Sequence, residues 1–137
     1  MGVTLNEVKD FIEQWFHTVG NGGTGDAQAR FHIYRDTRLY TGNGYTFTLD
    51  EHYQLHQQWT DEKHILGPLF LTEINDEPER VQVTGTVYWQ ASTKEGEIIK
   101  MVVGEHWLIE KTPEGLKFIL YVSTSFQPLP DSAAFNL

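Results

Sequence analysis

Leu5, Val8, Phe11, Ile12, Trp15, Phe16 and Val19 recur at steps of three, four and one, which draws one wide apolar stripe along a helix. Thr4 followed by Glu7 is a capping box for its start, and Gly20, Gly22, Gly23 and Gly25 end it. Asp26 can cap a second, shorter helix running to about Tyr34, with Ala27, Phe31 and Tyr34 at helical steps. Thr37 to Thr41 alternates weakly and predicts a short strand, closed by a turn at Gly42-Asn43-Gly44. Thr48 and Glu51 form another capping box, and the pattern predicts a third helix to about Lys63. It carries Tyr53, His56 and Trp59 on one face with His52 and Leu55 beside them, polar enough that one side must meet solvent or a wet cavity. From His64 the period changes to two. Strands are predicted over 65–74 with an irregularity at Gly67-Pro68, then over 80–91, 97–111 and 116–127. Val81, Val83, Gly85, Val87 and Trp89 share one face of the second of these strands. Pro128 and Pro130 end the last, and Phe135 in the tail is expected to pack on the body of the protein.

Helices first and strands afterwards indicate an α+β class. The expected architecture is one domain over 1–137: a cone of three N-terminal helices packed on a strongly curved antiparallel sheet, with an apolar cavity between the first helix and the sheet. The outer sheet face is expected to carry large groups such as Tyr88 or Trp107, which predicts a homodimer through the sheets.

The chain has 137 residues, no cysteine, and a formal net charge of −9. The absent thiols exclude a disulfide scaffold, a zinc-thiolate site, a cysteine nucleophile and an iron–sulfur cluster. The acidic balance argues against a nucleic-acid partner. No segment reaches the roughly 20 apolar residues of a membrane span, and Met1 to Asp10 lacks an apolar signal core, so no membrane partner and a cytoplasmic location are expected. No serine-histidine-aspartate order and no phosphate-binding glycine loop is present.

The order of elements, together with particular residues, resembles the nuclear transport factor 2-like (cystatin-like) superfamily and its SnoaL-like group. The residues that carry the resemblance are the first helix with its glycine turn, Asp26, the run from Tyr34 to Tyr40, the junction Lys63-His64-Ile65-Leu66-Gly67, Glu105-His106-Trp107, and the run from Glu114 to Ile119. The superfamily hosts dehydratases, isomerases, cyclases and proteins without activity. In members resembling scytalone dehydratase, a histidine opening the strand after the third helix is the general base, and His64 stands at that place. The group's acid–tyrosine pair on the first helix falls near Trp15 to His17, which lack it.

The resemblance implies a small, largely apolar or aromatic ligand and no cofactor. His64 is the expected base, since an imidazole exchanges protons near neutrality. Neighbours on a strand point to opposite faces, so only one of Glu105 and His106 can face the cavity. His106 is favoured there, with Gly104 leaving room for a ligand, while an inward Glu105 would have a raised pKa. His106, with Tyr40 or Tyr121, is expected to hydrogen-bond a developing oxyanion. Trp15, Tyr34, Tyr40, Trp59, Trp89 and Tyr121 are expected to line the ligand site. His52 and His56 sit four apart and are read as a surface pair rather than metal ligands. Asp36, beside Arg35 and Arg38, is read as an ion-paired structural group, and His17 and His32 receive no role.

Overall fold

The computed structural model describes residues 2–135. The first helix, α1 (Leu5–Gly20), has the expected Thr4–Glu7 capping box and buries Val8, Phe11, Ile12, Trp15, Phe16 and Val19. The second, α2 (Gly25–Ala29), is a single turn capped by the Thr24 hydroxyl rather than by Asp26, and it ends well short of Tyr34. Asp26 instead bonds Arg35, which also pairs with Asp50, while Arg38 turns to Thr46 and Glu51. The arginines flanking Asp36 are therefore engaged elsewhere.

Two short strands, β1 (Arg38–Thr41) and β2 (Thr46–Thr48), enclose the glycine turn. The third helix, α3 (Leu49–His56), starts at the Thr48–Glu51 capping box but stops before the expected Lys63. Chain pairing takes over there: β3 (Thr60–Glu73) runs along β4 (Arg80–Ser92), with Thr60 opposite Ser92 and His64 opposite Trp89. The sheet is completed by β5 (Ile98–Thr112) and β6 (Gly115–Pro128).

Six strands form one sheet in the order β2-β1-β6-β5-β4-β3. It is mixed rather than antiparallel throughout, because β1 runs parallel to β6. Register shifts break the ladders between Thr60 and Lys63, between Leu66 and Leu69, between Gly104 and Glu105 and between Leu108 and Ile109. Such bulges bend strands, and here they curve the sheet over α1. They also change which residues face inward. In β3, Glu62, His64 and Leu66 face in before the Gly67-Pro68 irregularity, and Leu69 and Leu71 after it.

Two apolar clusters result. The larger joins α1 to Leu39, Leu49, Val81, Val83, Val87, Trp107, Ile109, Phe118 and Tyr121. Trp107 is thus fully buried on the inner face, not on the outer one as expected. The smaller joins Trp59, Trp89, Ala91, Ile99, Met101 and Val103, with Ala133 and Phe135 of the tail packed on it. No helix among the described residues is long and apolar enough to cross a membrane.

Candidate functional site

Between α1, α3 and the concave sheet lies a cavity of about 90 Å³. That is roomy for several waters or a small ring, and below the roughly 300–1,000 Å³ of sites that hold larger organic ligands. Its wall takes Trp15, Phe16 and Val19 from α1, His52, Leu55 and His56 from α3, and Leu39, Tyr40, Phe47, Trp59, Phe126 and Phe135 around the mouth. Polar groups come from His64, Glu105, Tyr121 and Ser123, and among the described residues no lysine or arginine lines it.

One polar group is built by the β5–β6 ladder. Ile99, Met101, Val103, Glu105, Trp107 and Ile109 occupy alternate buried positions of β5, so Glu105 stands in an apolar row. The bulges of β6 bring Tyr121 opposite Trp107 and Ser123 opposite Glu105. Glu105 is 5% exposed and accepts hydrogen bonds from the Ser123 hydroxyl at 3.1 and 3.2 Å. Burial pushes its carboxyl well above the ordinary carboxylate range, and the donors Ser123, Trp107 and Tyr121 offset that only in part. The buried Trp107 indole N–H makes no hydrogen bond of normal geometry, so its help to the carboxylate is electrostatic. The Tyr121 hydroxyl accepts from Trp15 Nε1 at 3.2 Å, and burial raises its pKa, so it keeps its hydrogen to donate.

The other polar group lies where α3 ends and β3 begins. Asp61 adopts a left-handed φ of 50°, at the bulge that turns Glu62 inward. Glu62 Oε1 accepts from His56 Nδ1 at 2.8 Å and from Trp89 Nε1 at 2.9 Å. His52 Nδ1 lies 2.8 Å from the Gln28 side-chain oxygen, and its ring meets His56 edge-on. His64 stacks on Phe16 with ring centroids 4.4 Å apart. Burial, and secondarily the nearby His56, lower its pKa to about 3, so it is a neutral imidazole.

Of the sequence-predicted ligand residues, the cavity brings together His64, Trp15, Tyr40, Trp59, Trp89 and Tyr121. Tyr34 is 61% exposed and stands outside it. His106 and Gly104 lie on the opposite sheet face, because Glu105 shares the register of the apolar row. Gly104 makes room for β6, not for a ligand: a Cβ there would come within 2.6 and 2.7 Å of the Ser125 and Thr124 hydroxyls. His52 and His56 are cavity groups rather than a surface pair. The sequence reading passed over Glu62 and Ser123. The inward alternation Glu62, His64, Leu66 was a signal for the first, whereas the β6 bulges that place Ser123 leave no local signature.

No protein-family model matches the chain, and no curated protein does. Solved structures do. A proposed scytalone dehydratase from Novosphingobium aromaticivorans superposes with a TM-score of 0.75 at 9% identity, over 96% of this chain and 89% of the other. A nuclear transport factor 2-like protein with a cystatin-like fold from the same organism gives 0.66 at 16% identity, over 93% and 83%. The chain has the nuclear transport factor 2-like, cystatin-like fold. A proposed calcium/calmodulin-dependent protein kinase II association domain from Xanthomonas campestris shares this fold too, with a TM-score of 0.73 at 13% identity over 94% and 90%. At these identities the likeness covers the fold alone, and a fold of this kind is a scaffold on which the cavity's own groups decide the chemistry.

Proposed function

We propose that the cavity binds a small, uncharged, largely apolar carbonyl compound and moves protons on it without a cofactor, as a SnoaL-like dehydratase, isomerase or cyclase does. One observation carries this reading. A carboxyl group whose pKa burial raises well above the ordinary carboxylate range, Glu105, shares an apolar cavity with the imidazoles of His64 and His56. Titratable groups whose environments push their pKa values apart are what acid–base catalysis requires. Tyr121 donates to the oxyanion that forms, Glu105 supplies a proton, and an imidazole removes one. His64 is the imidazole that the resemblance singles out. Anionic ligands are disfavoured, since no lysine or arginine among the described residues lines the cavity to receive them.

The test uses cyclohexanone and the larger β-tetralone as probes. Their uptake is followed by tryptophan fluorescence, and exchange of their α-hydrogens in D2O by proton NMR. The wild type should bind at least one probe saturably and exchange its α-hydrogens faster than buffer, and Glu105→Gln should slow exchange by about 10²-fold. Absence of binding by both probes, or binding with exchange no faster than buffer, would overturn the reading.

A second reading, a non-catalytic ligand-binding or dimerisation module, is favoured by the outer sheet face. Ile65 is 58% and Phe70 66% exposed there. We infer a homodimer through this face, compatible with either reading.

A further inference from the structure

Resting on the proton-transfer reading above, we propose that His56 is the group that takes the proton, with Glu62 and Trp89 as the residues that position it. The trio's parts come from three elements: the last residue of α3, the first bulge of β3, and the C-terminal part of β4. The side chains of His56 and Glu62 are 12% and 3% exposed. Both carboxylate oxygens of Glu62 lie within reach of His56 Nδ1, at 2.8 and 3.0 Å. A carboxylate has no hydrogen to give, so Nδ1 carries the hydrogen in this contact, and in the neutral ring Nε2 is the free lone pair. Nε2 bonds to no described residue, and His56 belongs to the cavity wall. The Trp89 N–H bonds the same carboxylate oxygen, and Trp59 packs edge-on to both Trp89 and His56, which fixes the carboxylate and the ring.

The other imidazoles lack this support. His64 lies against the face of Phe16 with no carboxylate beside it, and gaining a proton would leave a cation among apolar rings with His56 nearby. His52 is bonded to the neutral Gln28 amide, which cannot balance a positive charge. An imidazolium on His56 alone would face a carboxylate. This is the general-base arrangement of an imidazole oriented by an acid, built here from residues on α3 and β3.

The step balances within the cavity. His56 Nε2 takes the proton from a carbon beside the carbonyl, and the C–H electron pair becomes the enolate, whose oxygen receives the Tyr121 hydrogen bond. In isomerisation and in α-hydrogen exchange Glu105, whose own hydrogen exchanges with solvent, gives its proton to the enolate carbon. In dehydration the enolate expels a β-hydroxyl, Glu105 gives that group its proton, and water leaves. The proton on His56 then passes to Glu105 and restores both groups.

The experiment is the same α-hydrogen exchange with cyclohexanone and β-tetralone, in His56→Ala and Glu62→Gln. His56→Ala should lose about 10²-fold in exchange and regain part of it with added imidazole. Glu62→Gln should keep probe affinity within about 2-fold and lower exchange by at least 10-fold. Exchange in Glu62→Gln as fast as in the wild type overturns the proposal. A purely structural pair would weaken binding and stability together, without rescue by imidazole. Exchange that survives in His56→Ala but is lost in Glu105→Gln overturns this inference and leaves the proton-transfer reading standing. A wild type with no exchange above buffer overturns the reading itself.

Discussion

Burial lowers the pKa of three imidazoles, His32, His52 and His64, and holds His32 and His64 uncharged in the folded protein. His32 is 4% exposed, its Nε2 has no hydrogen-bond partner, and burial lowers its pKa to about 3. His64 reaches about the same value by burial between Phe16 and the sheet. Each binds a proton more readily unfolded, where its pKa is near 6.5, so between roughly pH 6.5 and 3 stability rises with pH and acidification unfolds the chain. At pH 5 each histidine should cost about 2 kcal/mol relative to pH 8. Glu105 acts with the opposite sign: its folded pKa is raised, so the folded state loses ground as pH climbs past the ordinary carboxylate range. Chemical denaturation across pH should therefore show a flatter acidic limb in His32→Phe. It should also show Glu105→Gln more stable than the wild type at pH 8, by about 1 kcal/mol. An unchanged acidic limb in His32→Phe would place that sensitivity elsewhere. Glu105 was legible in principle, because it falls in step with Ile99, Met101, Val103, Trp107 and Ile109. The weight given to His106 as a chemical group obscured that parity.

At the scale of elements, the site depends on where α3 stops. Its first turn is set by the Thr48 hydroxyl and Glu51 carboxylate, and its last residue is His56. Thr48→Ala should cost about 1 kcal/mol of stability and lower α-hydrogen exchange as well, since the cap aligns the helix that presents His56. Stability lost with exchange unchanged would show that the helix end is held by Glu62 alone. Both capping boxes, the apolar stripe of α1 and the four long strands were readable from local pattern. The end of α3 was not. His52, Leu55, His56 and Trp59 continue a helical spacing, yet Thr60 onward gains a sheet partner in β4, and pairing outweighed propensity. The single turn of α2 and the tiny β2 also depend on tertiary partners, Arg35 with Asp26 and Asp50, and β1 with β2. The bulges of β6 decide that Tyr121 and Ser123 face inward, and no periodicity announces them.

For the whole molecule, the sheet's inner face makes the cavity and its outer face carries Ile65 and Phe70 in the open. The proposed homodimer buries that face. Sedimentation equilibrium should give twice the monomer mass for the wild type and the monomer mass for Phe70→Glu, because a charge buried without a partner opposes association. A monomeric wild type would remove the dimer without touching the cavity. The curved sheet and the hollow beneath α1 followed from the order of helices and strands, and the structure holds both. The tail's place did not follow: Phe135 packs against Trp59, Trp89 and Phe126 at the cavity mouth, a contact between segments far apart in the chain.

The whole account turns on an uncharged acid in the cavity wall. Infrared difference spectroscopy of the wild type against Glu105→Gln at neutral pH measures it directly. The account predicts a carbonyl band of a protonated carboxyl group that is absent from Glu105→Gln and shifts when cyclohexanone is added. A difference spectrum showing only carboxylate bands, unmoved by the probe, would contradict it.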